Sequence, residues 1–219
     1  MVSSSSSAAK PRWRGVSHQW GFFAAAVAGV ILIALADTPT ARIAVSVYVA
    51  SLCAMLGASA LYHRVSWTPR GASVARRLDH SMIFVFVAGS YTPFAVLVLH
   101  GTLATVLLVV VWSAALIGAT ITTAWTHAPT WLRASLYVAL GWAALFAAPQ
   151  LAENAGTGAL VLLALGGLLY TVGAVVYVRQ RPDPVPHSFG YHEVFHAFVV
   201  GAAVVHYIAI AGYALPAAS

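Results

Sequence analysis

Two histidines stand four residues apart in the run His192-Glu193-Val194-Phe195-His196, at the mouth of an apolar segment. Residues i and i+4 share a helix face, so the pair supplies half of a tetrahedral zinc site. H-E-x-x-H is also the spelling of metalloprotease sites in which the glutamate acts as general base. The pair alone leaves open which ligands complete the site and whether Glu193 has a chemical role. A neighbour at i+1 points about 100° away from His192 on a helix, which favours a supporting or loop-pairing role for Glu193 over a catalytic one.

The elements that must position these residues are set by composition. With 61% hydrophobic and only 7% charged residues, the chain lies far from soluble proteins, in which about 25% of residues are charged. The single cysteine, Cys53, lies in an apolar run and excludes an internal disulfide framework or a cysteine-built zinc cluster. An excess of 11 Lys and Arg over 5 Asp and Glu would suggest a nucleic-acid partner in a soluble protein. Here topology explains it, and no nucleic acid is expected.

Apolar stretches fall at roughly 20–36, 42–62, 80–99, 102–124, 131–150, 157–178 and 190–213, each near the ~20 residues that a membrane-spanning helix requires. The expected fold is therefore all-α: one seven-helix transmembrane domain over 16–219, preceded by a disordered tail over 1–15 that is rich in serine. Ala34-Leu35-Ala36 resembles a signal-peptidase site, but the spans that follow make 20–36 an ordinary first helix. Of the eleven Lys and Arg, all but Arg42 fall before helix 1 or between helices 2 and 3, 4 and 5, or 6 and 7. The positive-inside rule then places the N-terminus in the cytoplasm and the C-terminus outside, in a multi-pass protein of the cell membrane.

This topology brings distant residues to one depth. Helix 2 runs inward to His63, helix 3 starts outward at Asp79, and helix 7 starts outward with His192 and His196. Ionisable groups at the hydrocarbon edge pair, line water or bind an ion. Three neutral imidazoles and a carboxylate suit Zn2+, with Asp79 either a direct ligand or separated from the metal by a water that it orients or deprotonates. Such a site supplies a nucleophilic water near neutral pH. Ser59, one turn before His63, is placed to hydrogen-bond the ligands or a substrate oxyanion. Taken singly, His63 and Asp79 read as helix-end residues and Ser59 as a small packing residue; their joint placement favours a metal site. His206 lies about 15 Å further along the helix, too far to ligate the same ion. His18, His100, His127 and His187 read as loop or interface residues, His80 as facing away from Asp79, and Trp13, Trp20, Trp67, Trp125 and Trp131 as interfacial anchors. Pro93 and Pro149 are candidate kinks, and Pro149 equally a terminator of helix 5.

Ser59-Ala60-Leu61-Tyr62-His63-Arg64, Arg77-Leu78-Asp79-His80-Ser81, Gly89-Ser90-Tyr91-Thr92-Pro93 and Phe189-Gly190-Tyr191-His192-Glu193-Val194-Phe195-His196 together resemble the hemolysin III family, within the progestin and adiponectin receptor superfamily. The resemblance runs from about Gly15 to the end of the last span. It implies a zinc site of His63, His192 and His196, with Asp79 linked to the metal through water, Ser59 just outside the ligands, and the same orientation as the charge count. Adiponectin receptors carry Gln at the place of Glu193, so the shared metal site does not require an acid there.

Three functions follow. A ceramidase-like hydrolase of membrane lipid amides or esters, serving membrane-lipid homeostasis, would use Asp79 for the proton and Ser59 for the developing oxyanion; the superfamily's similarity to alkaline ceramidases supports it. A cytolytic or pore-forming protein is implied by the family's name, although no amphipathic insertion segment is visible. A lipid-responsive receptor or sensor would hold zinc structurally. An intramembrane protease fits poorly, because Leu78-Asp79 precedes the histidine pair and His63 would have no use.

Overall fold

The computed structural model describes residues 11–125 and 128–218; His127, Lys10 and the serine run lie outside them. Among the described residues the chain is helical, with a lone β-bridge between Val185 and Phe189 and no sheet. The helices are α1 (Val16–Ala34), α2 (Pro39–Arg64), α3 (Pro69–Leu97), α4 (Gly101–Ala124), α5 (Thr130–Gly141), α6 (Ala148–Arg179) and α7 (Tyr191–Ala209). A 3-10 segment, Trp142–Ala147, joins α5 to α6, and a π turn, Ile210–Ala214, extends α7.

Six helical stretches are long and apolar enough to cross a membrane, and one of them is the 50-residue run Thr130–Arg179. The sequence places two elements there. The run is not straight: Gly156 takes φ 83° and ψ 162°, a conformation open essentially to glycine alone. Trp142 Nε1 donates to Thr171 Oγ1 at 3.0 Å, whereas on one straight helix these residues would stand about 40 Å apart. The chain therefore folds back within 143–170. Pro149, a candidate terminator, instead occupies the first turn of α6, where its missing N–H costs nothing.

Helix α3 begins eleven residues before the expected start at 80. Thr68 caps it by accepting from Gly71 N–H at 3.2 Å, and Pro69 preorganises its first turn. Arg70, Arg76 and Arg77 lower the hydropathy of these first turns, which is why the apolar stretch starts late. Asp79 thus lies about three turns inside α3 rather than at its tip.

Helices α1 to α4 pack in chain order, α6 pairs with α7, and α7 returns to α1. Outward faces carry Val27, Val30, Ile31, Leu116, Ile117 and Phe146, all exposed. Apolar surface of this extent is stable against acyl chains and not against water, so the chain is a multi-pass integral membrane protein. Trp13, Trp20, Trp67, Trp125 and Trp131 stand exposed at helix ends, as interfacial anchors do.

Candidate metal centre and cavity

The short 65–68 connection turns α2 back along α3, and α7, packed on α6 and α1, brings its first turns to the end of α2. His63 comes from the last turn of α2, while His192 and His196 come from the first two turns of α7. Their ligand atoms all lie within 4.8 Å of one another. His63 Nε2 and His192 Nε2 are 3.1 Å apart, close to the ~3.3 Å that two imidazoles on one tetrahedral zinc would show from Zn–N bonds of about 2.0–2.1 Å. His63 and His196 are buried; His192 is partly exposed as a residue, with its ring turned to the other two. His196 Nδ1 is buried without a hydrogen-bond partner. Three clustered imidazoles, one with an orphaned nitrogen, fit a divalent cation such as zinc, although the donor set alone does not name the metal.

Asp79 is buried with Oδ2 at 3.8 Å from His63 Nε2. That separation exceeds a hydrogen bond and suits a group acting beside a ligand. The buried Ser59 hydroxyl interacts with the Asp79 carboxylate but has no hydrogen bond of good geometry. The five candidate residues Ser59, His63, Asp79, His192 and His196 are thus brought to one end of the bundle.

Glu193 is occupied elsewhere. One oxygen accepts from Gly190 N–H at 2.8 Å, capping α7, and the other lies 2.6 Å from Arg14 Nε in an ion pair not aligned as a hydrogen bond. The adjoining segment is a strap across the site. Arg12 and Trp13 N–H donate to the carbonyls of His187 and Ser188, and Gly15 enters α1 with φ 78°. A Cβ at Gly15 would stand 2.5 Å from His63 Cβ, so only glycine fits both the backbone and the space. Residues 11–15, expected within the tail, are therefore docked.

His18 is the residue that sequence reasoning missed. It is 3% exposed, its ring stacks on His196 at 3.7 Å between centroids, and neither ring nitrogen has a partner of good geometry. Because α1 starts at Val16 rather than 20, His18 belongs to a helix and not a loop. The depth argument applied to α1 with its true start would have found it.

A cavity of about 150 Å³ leads away from this end. Ser59, Asp79 and His196 line one end and Phe94, Leu107 and Leu151 the other. Asp79 and Phe94 are about 22 Å apart along α3, so the cavity runs most of the hydrocarbon depth. His206 lines its middle, with Nε2 3.4 Å from the Leu163 carbonyl, and His80 lines it near Asp79, its carbonyl accepting from Tyr137 O–H at 3.1 Å.

The sequence model of the family described as "Haemolysin-III related" matches residues 6–207. Hemolysin-3 of Bacillus cereus is 31% identical over 209 residues, covering 93% of this chain and 91% of that protein. A Hemolysin-3 homolog of Bacillus subtilis is 30% identical over 77% of this chain and 76% of its own length. The human monocyte to macrophage differentiation factor is 27% identical over 90% of this chain and 81% of its own length.

Proposed function

Since the chain belongs to the Haemolysin-III related family, within the progestin and adiponectin receptor superfamily, we propose that it is a zinc-dependent hydrolase of membrane lipid amides or esters. The observation that carries this reading is the convergence of His63, His192 and His196, with Asp79 beside them, at the end of a long apolar-walled cavity. His63, His192 and His196 would hold the metal. When bound, zinc supplies Lewis acidity, bringing the pKa of a coordinated water to about 7 and polarising a carbonyl. The Asp79 carboxylate, beside the three histidines, would act as the proton-accepting and proton-returning group for a water and the leaving amine or alcohol. The Ser59 hydroxyl, which has no well-aligned hydrogen bond among the described residues, donates to the carbonyl oxygen as charge develops on it. The cavity walls seat the acyl chain and keep bulk water from the reacting carbonyl.

The reading includes seven spans, with α5 and α6 crossing separately on either side of the fold-back, in one domain over 16–219 of the cell membrane. Among the described residues every Arg but Arg42 lies at the end that carries the site, which supports a cytoplasmic N-terminus and an external C-terminus. A reporter fused to the C-terminus is expected to read as external and one in the 65–68 loop as cytoplasmic; a cytoplasmic C-terminal reporter reverses the assigned side of the site.

The hydrolase reading is tested by reconstituting zinc-loaded protein with ceramides and other lipid amides and measuring released fatty acid by mass spectrometry. Slow release that stops on chelation is expected. No release from any amide or ester in the presence of bound zinc gives way to a lipid-responsive sensor with structural zinc. The name Hemolysin-3 carried by two relatives favours a second reading, cytolysis. Release of haemoglobin from erythrocytes by purified protein, undiminished in His63→Ala, would favour it over lipid hydrolysis.

A further inference from the structure

Three arginines near the metal centre have no carboxylate to pair with. Arg76, Arg77 and Arg133 come together beside His80 and Thr122 in a shallow surface dimple without enclosed space. Among the described residues none of the three forms an ion pair. The chain's five acids are placed otherwise: Asp79 faces His63, Glu193 meets Arg14, Asp183 accepts from Tyr191 N–H, and Asp37 and Glu153 lie towards the opposite end of the bundle.

Orientation by the positive-inside rule explains basic residues in a loop but not a guanidinium facing the interior. Arg133 lines the same long cavity as Asp79 and His192. Tyr137 and Tyr177 line that cavity as well, so Arg133 and Asp79 look onto one space. Arg133 also sits in the first turn of α5, whose N-terminus has no side-chain cap. The positive end of the helix dipole disfavours a cation there and, with uncapped N–H groups, favours an anion.

From these observations we propose that the cavity binds an amphiphile with a phosphate-type anionic head, held by Arg133 with support from Arg76 and Arg77, while its chain runs into the cavity toward Phe94 and Leu151. Guanidinium forks match phosphate oxygens in bidentate geometry, and more than one unpaired guanidinium suits a head bearing more than one negative charge. The proposal rests on the lipid reading of the cavity and narrows it from lipid amides and esters at large to acidic ones.

The test measures binding rather than turnover, on full-length protein stripped of metal by chelation, by native mass spectrometry with three matched probes. These are oleoyl lysophosphatidate, monooleoylglycerol and glycerol 3-phosphate. The lysophosphatidate is expected to bind about tenfold or more tightly than either of the others. Arg133→Gln is expected to abolish the preference and Arg133→Lys to keep part of it. If Arg133→Gln does not fold, as judged by size-exclusion profile and zinc uptake, Arg76→Gln is read instead and is expected to weaken the preference. Equal binding of the two oleoyl lipids, or a preference unchanged in the folded arginine variants, overturns the proposal. Glycerol 3-phosphate binding as tightly as the lipid points to a soluble anion and also overturns it. Because no metal is present, absence of fatty-acid release in the separate turnover assay would sink the hydrolase reading and leave this result standing.

Discussion

The two ends of the bundle treat polar groups differently. At the end near the α3–α4 turn, Asn154 Nδ2 donates to the Val98 carbonyl at 2.8 Å and Gln150 Oε1 accepts from His100 N–H at 2.8 Å. Tyr91 O–H, further along the wall, donates to the Gly141 carbonyl at 2.6 Å. At the histidine end, Ser59 Oγ, His196 Nδ1 and both nitrogens of His18 are buried without a well-aligned hydrogen bond among the described residues, a condition shared further along the cavity by the Tyr170 hydroxyl. Each such orphan costs about 1–3 kcal/mol, so a fold that satisfies polar groups at one end and not at the other has kept the second end for something that binds. The first end is architecture, and the second is a site waiting for partners that the chain does not supply.

The largest effect that would break this contrast is loss of a ligand. His63→Ala, His192→Ala or His196→Ala is expected to weaken zinc binding by more than about a hundredfold, beyond the ~10–100-fold typical of residues outside the ligands. Metal analysis after dialysis against zinc checks it; a variant that retains stoichiometric zinc removes that histidine from the centre. His206→Ala, in the middle of the cavity, is expected to keep the metal.

Next in size is Asp79→Asn. Metal content is expected to fall little, because the carboxylate stands 3.8 Å from His63 Nε2 and not between ligands, while turnover of a lipid amide falls by about tenfold to a thousandfold. Full activity in this variant would assign Asp79 to packing. Glu193→Gln sharpens the same contrast from the other side. It keeps an acceptor for Gly190 N–H but gives up the charge facing Arg14, so a loss of about 1–3 kcal/mol in stability is expected, with turnover per folded molecule unchanged. A selective collapse of turnover would restore Glu193 as the general base.

Much of this was legible in the sequence because hydropathy and charge report depth, and depth alone brings His63, Asp79 and the His192–His196 pair together. What escaped has local physical causes. The arginines at the start of α3 mask an extra stretch of helix that Thr68 and Pro69 begin, so Asp79 was placed at a tip. Pro149 is compatible both with ending one helix and with starting the next, and the break shows only in the 3-10 segment Trp142–Ala147 and the positive φ of Gly156. His18 and the strap over 11–15 depend on contacts with His196 and with residues 187–188, which no periodicity in residues 11–20 reveals.

The smallest expected effect comes from Ser59→Ala, and its size separates the two ends most cleanly. Deleting a satisfied group, as in Asn154→Ala at the architectural end, leaves the Val98 carbonyl without its donor and is expected to cost about 1 kcal/mol, read as a lower thermal midpoint with zinc binding intact. Ser59 has only its poorly aligned contact with the Asp79 carboxylate to lose. Removing a buried hydroxyl so weakly bonded relieves a desolvation penalty that offsets that contact, so Ser59→Ala is expected to change stability by less than about 1 kcal/mol. The same change takes away the donor assigned to the substrate oxygen and is expected to slow turnover by about tenfold or more. Thermal melts of the two variants in one detergent, with turnover measured alongside, give both effects. If Ser59→Ala destabilises the protein as much as Asn154→Ala and leaves turnover alone, the hydroxyl belongs to the architecture, and the orphaned atoms at the histidine end lose their meaning as a site.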